Sequence, residues 1–198
     1  DYSDSPERHY SLSTLAHSTA IVDGLMQHRK TAYYKHRPDI KERAVFNAAF
    51  KTKEAWASAV YDEGYGPDEQ RLLQHTRKVI LKSEAEIQII DTFSKLSNAS
   101  HHVEILFHCV KDNAELIENR FQSTGEGPNV TITWTSDGED ITASTCCGGS
   151  EPDLRGWAAP DDHSNGLYEL VPRPCLTLSF NCSEECTVTS TIRIIPPA

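Results

Sequence analysis

The sequence predicts an α+β protein in which a helical N-terminal half packs on an antiparallel β-sheet in a disulfide-linked C-terminal half. Up to residue 97, apolar residues recur at steps of three and four, which is the spacing of one helix face. From residue 98 onward, apolar and polar residues alternate, which is the period of a strand with one buried face. All six cysteines lie after residue 108. We therefore expect one α+β domain over residues 1–198, mostly helical over 1–97 and mostly strands and loops over 98–198.

Three helices account for the first half of this prediction. The first places Leu12, Leu15, Thr19, Val22 and Met26 on one face. The second covers residues 40–63, and the third covers residues 69–96 after a glycine-rich turn. Helices joined by such short connections pack as a bundle or as the cover of a sheet. Four residues of the third helix are expected to be buried against the sheet, namely Leu72, Val79, Ile80 and Ile87.

Four strands account for the second half, at residues 102–109, 129–136, 175–182 and 187–195. A short helix over residues 112–121 is expected between the first two strands. Residues 146–175 are rich in Gly, Pro, Asp and Ser, which predicts a long loop. Cysteines at both ends of this loop indicate that cross-links hold it in place.

The charge of the chain bears on its partners. The formal net charge is −10 at pH 7, and residues 109–198 hold 14 acidic and 5 basic side chains, against 15 and 14 in residues 1–108. This balance argues against nucleic acid as a partner, because phosphates favour a basic surface, and against adhesion to an anionic membrane. Solvation of a secreted domain explains the acidic half, with a surface for cations or a basic partner as the alternative.

Cysteines and glycosylation sequons both indicate secretion. The six cysteines are Cys109, Cys146, Cys147, Cys175, Cys182 and Cys186. An even number of cysteines within 78 residues predicts disulfides formed in an oxidising compartment, although the pairing stays open. Sequons begin at Asn98, Asn129 and Asn181. We expect a secreted, extracellular glycoprotein with no membrane span and with Asp1 as a mature N-terminus.

The stretch NASHHVEILFHC, residues 98–109, raises the question of a metal site. His102 and His108 are six residues apart on the predicted strand, or about 20 Å at ~3.3 Å per residue. One ion cannot bind both, since zinc–nitrogen bonds are about 2.0–2.1 Å long. His101 and His102 remain candidate ligands if another segment supplies more, and otherwise the stretch is a glycosylated turn before a buried strand. No cofactor is expected, with a divalent metal as the alternative.

The acidic loop provides candidate catalytic residues. Asp161, Asp162 and His163 are neighbours, and carboxylates beside a histidine are able to bind a divalent cation or do acid–base work. Adjacent residues of an extended chain point in different directions, so a solvated loop is the alternative. Trp157 either anchors this loop to the core or stacks on a ligand such as a sugar. The chain contains no HExxH, GxSxG, GxxxxGK[ST] or GxGxxG motif, so no recognised catalytic motif is present.

Three segments resemble parts of fungal secreted zincin-like proteins, namely the deuterolysin metallopeptidases and their zinc-scavenging, zincophore-like relatives. The segments are VFNAAFKT (45–52), VEILFHCVKDNAEL (103–116) and NGLYELVPRPC (165–175). The resemblance implies a helical region that precedes a strand ending in a cysteine. In those families a zinc-binding helix follows, and its HExxH motif is absent here. The resemblance therefore implies a remnant without peptidase chemistry and assigns no zinc ligand.

The function expected from these observations is that of a secreted, non-enzymatic binding or effector protein, with an extracellular protein or a glycan as its partner. An extracellular hydrolase that acts through the carboxylates and the histidine of the acidic loop is one alternative. A metal-scavenging protein that acts through the histidines is the other.

Overall fold

The fold is almost entirely β. A computed structural model describes residues 5–28, 45–51, 54–66, 68, 70–150, 154–159 and 170–197. One short α-helix, α1 (Pro6–Leu12), is followed by a 3-10 turn at Thr14–Ala16. The strands are β1 Ala20–Val22, β2 Val45–Lys51, β3 Glu54–Tyr61, β4 Leu73–Ser83, β5 Glu86–Lys95, β6 His101–His108, β7 Asn113–Ile117, β8 Arg120–Thr124, β9 Asn129–Ser136, β10 Thr142–Cys147, β11 Trp157–Ala158, β12 Val171–Pro172, β13 Pro174–Cys182 and β14 Glu185–Ile195. In this described part of the chain, no helix has the length and hydrophobicity needed to cross a bilayer.

Two antiparallel sheets pack face to face. The larger sheet has eight strands in the order β2-β3-β4-β5-β14-β9-β8-β7, and the smaller has four in the order β1-β6-β13-β10. Strands β11 and β12 form a separate pair. Phe93 of the large sheet meets Phe180 of the small sheet edge to face, with ring centroids 5.6 Å apart. The apolar face of each sheet is thus buried by the other, which is the arrangement of a β-sandwich.

The small sheet is buried on both faces. Ile105 and Leu106 are consecutive residues of β6 and point to opposite sides, yet both are fully buried. Ile105 belongs to the core between the sheets. The outer face is covered by α1 and by the segment around Trp157, which meet beside His108 at the end of β6.

The predicted helical half, and with it the α+β class, is wrong. The segments predicted as helices over 40–63 and 69–96 contain the hairpins β2–β3 and β4–β5. The first predicted helix, which carried Leu12 to Met26, is replaced by the last residue of α1, the 3-10 turn, β1 and the turn at Asp23 and Gly24. Residues 73–95 are rich in Thr, Val and Ile, and such β-branched side chains favour the extended backbone. The apolar residues of these strands fitted helical spacing because some residues on each face of the large sheet are buried. Burial on both faces removes the strict alternation of apolar and polar residues that identifies a strand.

Burial along β4 and β5 corrects the predicted helix face. Ile80 is buried, but Val79 is 37% exposed, and Leu72 and Ile87 are half-buried. The short helix predicted over 112–121 is instead the hairpin β7–β8, whose turn places Glu118 at φ +50°. The four strands predicted in the second half are confirmed as β6, β9, β13 and β14.

The predicted disulfide framework is also wrong, since none of the six cysteines forms a disulfide. Cys146 and Cys175 lie opposite each other on β10 and β13, with no disulfide between them. The buried Cys182 thiol approaches the carbonyl oxygens of Phe93 and Glu184 at 3.8 and 3.7 Å. Cysteine in such positions acts as a small apolar residue with a weak S–H donor.

A buried charged cluster joins the two strands of the β4–β5 hairpin. The Asp91 carboxylate is fully buried and accepts hydrogen bonds from His75 Nε2 at 2.7 Å and from Arg77 Nε and Nη2 at 2.6 and 2.9 Å. Arg77 Nη1 also donates to the carbonyl oxygen of Ser18. Burial alone would raise the pKa of Asp91, but the bonds from His75 and Arg77 outweigh it and hold that pKa below the usual 3.8.

We expect Asp91→Ala to lower the free energy of unfolding by about 3–5 kcal/mol, because it leaves the buried partners of the carboxylate uncompensated. The pKa of Asp91 is depressed in the folded state. The stabilisation of the fold by the ionised carboxylate is therefore present above pH ~4 and is lost as the pH falls through the folded-state pKa. Urea denaturation at pH 7 and at pH 3 measures both effects. The control is Glu184→Ala, which removes an exposed ion pair to Lys95 and should cost at most ~1 kcal/mol. Equal losses in the two variants would contradict this role of Asp91.

Thiol reactivity should follow burial. Burial raises the pKa of Cys182 to about 11 and that of Cys186 to about 12, whereas Cys147 is exposed. At pH 8 iodoacetamide should therefore modify Cys147 first and reach Cys182 and Cys186 only after unfolding, because the thiolate is the nucleophile. Six thiols should titrate in the unfolded chain without reductant. Modification of Cys182 at the rate of Cys147, or fewer than six thiols, would contradict the structure.

Candidate functional site

The N-terminal segment is fixed along the edge of the small sheet. Its strand β1 pairs with β6, and a two-residue turn at Asp23 and Gly24 follows. Both residues have positive φ, at 52° and 71°, which is the type I′ geometry favoured by an Asp-Gly pair. The turn sends the chain back, so that Gln27 bridges to Tyr65. This path places residues 12–28 opposite the end of β3.

A cleft of about 520 Å³ opens between this segment and β3. Cavities of this size are typical of ligand sites. We call it the His17 cleft, and it is lined by Leu12, Ser13, Thr14, His17, Thr19, Met26, Gln27, His28 and Tyr61. Leucine and methionine give it apolar area, and the other side chains give it hydrogen-bonding groups.

Backbone contacts fix the tautomer of His17. Its Nδ1 lies 2.8 Å from the carbonyl oxygen of Ser13. A carbonyl only accepts, so Nδ1 carries the proton and, in the neutral ring, Nε2 is the acceptor nitrogen. His28 is oriented in the same way, with Nδ1 3.2 Å from the carbonyl oxygen of Gly66. The cleft therefore has two imidazoles held by their Nδ1 atoms.

The remaining polar side chains of the cleft are held by neighbours. Gln27 donates from Nε2 to Thr19 Oγ1 at 3.1 Å, and its backbone N–H donates to Thr14 Oγ1 at 2.9 Å. The Tyr61 hydroxyl donates to the carbonyl oxygen of His28 at 3.1 Å and also contacts Gly64. These bonds reduce the conformational freedom of the lining before any ligand binds, which lowers the entropic cost of binding.

A second, apolar pocket of about 380 Å³ is bordered by α1. Its walls are Pro6, Glu7, Tyr10, Leu154, Trp157 and Leu170. The Tyr10 hydroxyl donates to the carbonyl oxygen of Trp157 at 3.0 Å, and the indole Nε1–H donates to Gly149 at 2.8 Å. Burial raises the pKa of Tyr10 to about 12, so this phenol stays protonated at neutral pH. Trp157 thus anchors its segment, as one of the two alternatives predicted, and it also borders the pocket; stacking on a ligand stays a prediction.

Glycine at position 156 is required for this anchoring. A Cβ there would lie 2.8 Å from the carbonyl oxygen of Arg173 and 2.9 Å from that of Cys146. Its φ of +78° also disfavours other residues. The close approach of three backbone segments sets the position of Trp157.

The predicted catalytic and metal residues are not brought together in the described structure. Asp161, Asp162 and His163 lie outside the described residues. His101 is buried and bonded to Asp23 and Ser97, whereas His102 is exposed beside Asn181. Among the described residues no group of three or more His, Cys, Asp or Glu side chains is arranged to hold a metal ion.

The sequons differ in accessibility. Asn98 and Asn181 are exposed. Asn129 is half-buried, and its amide donates to the carbonyl oxygen of Gly125 at 3.1 Å. Glycosylation itself stays a prediction at all three.

Sequence reasoning missed the His17 cleft. The helical prediction places the lining residues from Leu12 to His28 on one helix and Tyr61 on the next, so it contains no turn that brings this segment back beside Tyr61. The available signal was the pair Asp23-Gly24 after a short apolar run, because this dipeptide indicates a tight hairpin turn.

Comparisons with known proteins bear on the family. The family model described as "Heparinase II/III-like, C-terminal" matches residues 1–180. No curated protein sequence matches the chain. The crystal structure of heparinase III superposes with a TM-score of 0.66 at 13% identity, covering 99% of this chain and 26% of that one. The heparan sulfate lyase HepC from Pedobacter heparinus gives 0.64 at 14% identity, covering 98% and 27%. The chain thus spans about a quarter of these structures, and the likeness at such identity concerns the fold.

These findings correct the expected family and function. The resemblance to deuterolysins and zincophore-like proteins is wrong, because a different family model matches the chain and residues 45–51 form an edge strand rather than part of a helical region. The zincin-like assignment is therefore wrong as well. The non-enzymatic effector is likewise overturned, and neither the acidic-loop hydrolase nor the metal scavenger gains support. The match over residues 1–180 shows instead that the chain belongs to the heparinase II/III-like C-terminal family.

Proposed function

We propose that this chain is the C-terminal β-region of a polysaccharide lyase-related protein and that its His17 cleft binds an acidic glycan. The family and the fold support the class of activity, since the similar structures include a heparan sulfate lyase. Because the chain spans about a quarter of those structures, the lyase activity and the glycan substrate are both part of the proposal.

The charge of the cleft lining carries the glycan assignment. The whole chain has a formal charge of −10, which would repel a polyanion. The described lining of the His17 cleft nevertheless includes no acidic side chain and does include two histidines. Its Thr, Gln and Tyr side chains suit sugar hydroxyls, and its apolar residues suit the C–H faces of a sugar ring.

His17 is the side chain best suited to contact the ligand. Its Nδ1–H is already bonded to Ser13, so Nε2 accepts from a sugar hydroxyl when neutral. When protonated, Nε2–H donates to a carboxylate or sulfate instead, which is the stronger type of hydrogen bond.

The sequence that follows His28 is rich in positive charge. From His28, which lines the cleft, the chain continues into residues 29–44, which hold six Lys or Arg and two Asp or Glu. These residues lie outside the described structure. A segment of this composition attracts an acidic polymer.

Calorimetric titration with heparan sulfate oligosaccharides tests this function. We expect binding that weakens as salt is raised, because the contacts are electrostatic, and at least ~10-fold weaker binding by His17→Ala, the loss of about 1.4 kcal/mol. His102→Ala is the matched control, since this exposed histidine lies outside the cleft. Neutral dextran should not bind.

Ultraviolet absorbance of an unsaturated uronate product, measured with the same oligosaccharides, tests the lyase class.

In the calorimetric titration, binding that is equal in the parent and in His17→Ala would overturn the assignment of the cleft. No binding to any acidic glycan would overturn the proposed function.

Extracellular location is also proposed. This proposal rests on the three sequons, because the chain has no disulfide that would indicate an oxidising compartment.

A further inference from the structure

A serine, a histidine and an aspartate form a hydrogen-bonded chain outside the His17 cleft. Ser97 Oγ lies 2.5 Å from His101 Nε2, and His101 Nδ1 lies 2.7 Å from Asp23 Oδ2. The three residues come from the segment before β6, from β6 itself and from the turn after β1. We propose that they form a nucleophile–base–orienting group that hydrolyses short acyl esters, with Ser97 as the nucleophile.

The direction of the hydrogen bonds supports these roles. The Asp23 carboxylate only accepts, so His101 Nδ1 carries a proton and, in the neutral ring, Nε2 accepts from the Ser97 hydroxyl. Ser97 is thereby placed to lose its proton to His101 on attack. This arrangement of serine, histidine and carboxylate occurs on unrelated folds and is recognised by geometry rather than by sequence order.

Asp23 is held more firmly than a surface aspartate. Its backbone N–H donates to the carbonyl oxygen of His102 at 2.8 Å, and its Oδ1 accepts the backbone N–H of His102 at 2.8 Å. Its φ of +52° is a left-handed conformation that aspartate tolerates in a turn. These two hydrogen bonds between Asp23 and His102 already hold the turn on β6. The hydrogen bond between His101 and Ser97 is therefore not needed to stabilise the turn.

Exposure permits a substrate to reach the group. Ser97 is half-buried, and the side chains of His101 and Asp23 are 5% and 38% exposed. The residue after the nucleophile often supplies an N–H to the developing oxyanion. Here that residue is Asn98, which is exposed and whose backbone N–H makes no hydrogen bond within the described part of the chain.

The reaction is a two-step acyl transfer to water. Ser97 Oγ bonds to the ester carbonyl carbon as its proton moves to His101 Nε2. The bond between the acyl carbon and the leaving oxygen then breaks, and His101 returns the proton to that oxygen, releasing an alcohol. Water attacks the acyl-serine with His101 as base, giving the free acid and restoring Ser97. The assignment of the alcohol to a glycan, so that the substrate is an O-acetyl sugar, rests on the proposed function.

Labelling with a fluorophosphonate probe tests the nucleophile. The full chain from a bacterial host, in which Asn98 stays unmodified, should gain one adduct that maps to Ser97. Ser97→Ala should abolish the adduct, whereas Ser100→Ala, an exposed serine of the same turn, should retain it. A folded parent protein without an adduct on Ser97 would overturn the proposal, as would an adduct that persists in Ser97→Ala.

Hydrolysis of 4-nitrophenyl acetate tests the positioning role of Asp23. Asp23→Asn keeps an oxygen for His102 and a residue that tolerates the turn, but it removes the charge that orients His101. We expect kcat to fall by at least ~100-fold with KM unchanged. Unchanged kcat would overturn this role. The ester carries no uronate, so its hydrolysis is independent of glycan binding at the His17 cleft.

Acetate release from acetylated polysaccharide tests the glycan ester separately. Hydrolysis of 4-nitrophenyl acetate without release of acetate would overturn the assignment to glycan esters, whatever the result for the His17 cleft.

Discussion

The buried Asp91 carboxylate is the constraint on which the arrangement of this protein depends. A charge without solvent is stable only while its partners are in place, and here the partners are His75 and Arg77 of the neighbouring strand. Arg77 extends the cluster to the carbonyl oxygen of Ser18. The cluster therefore fixes the register of β4 on β5 and also holds the N-terminal segment against the large sheet, so one charge couples both sheets.

Both proposed sites depend on that segment. His17 directly precedes Ser18, and a displacement of Ser18 would move His17 relative to Tyr61 across the cleft. Five residues further on, Asp23 meets His101 at the other end of β1. The same short stretch thus carries one wall of the glycan cleft and the orienting carboxylate of the serine site. Its position is set by pairing with β6 and by the Asp91 cluster, rather than by contacts within the segment.

The strands of the second half could be predicted from sequence because one face of each is consistently apolar, as in the alternation of Ile132 and Trp134 against threonines. The first half could not be predicted in this way. In β4, His75 and Arg77 occupy positions where a hydrophobic residue would mark a strand. His75 is buried and Arg77 is half-buried, and both are paired with the buried Asp91 carboxylate. Arg77 and His75 are 14 and 16 positions from Asp91 in the sequence, so these ion pairs cannot be recognised from the periodicity of a short window. The serine site was missed for the same reason, since Asp23 and His101 are 78 positions apart.

Hydrogen exchange of an Asp91→Asn variant tests most directly whether this carboxylate couples the two sheets. The substitution keeps the shape of the side chain and removes its charge. Amide protection should fall in β4 and β5 and also in β1 and β6, because release of Arg77 frees the segment that pairs with β6. A loss of protection confined to β4 and β5, with β1 and β6 exchanging as in the parent protein, would contradict the coupling.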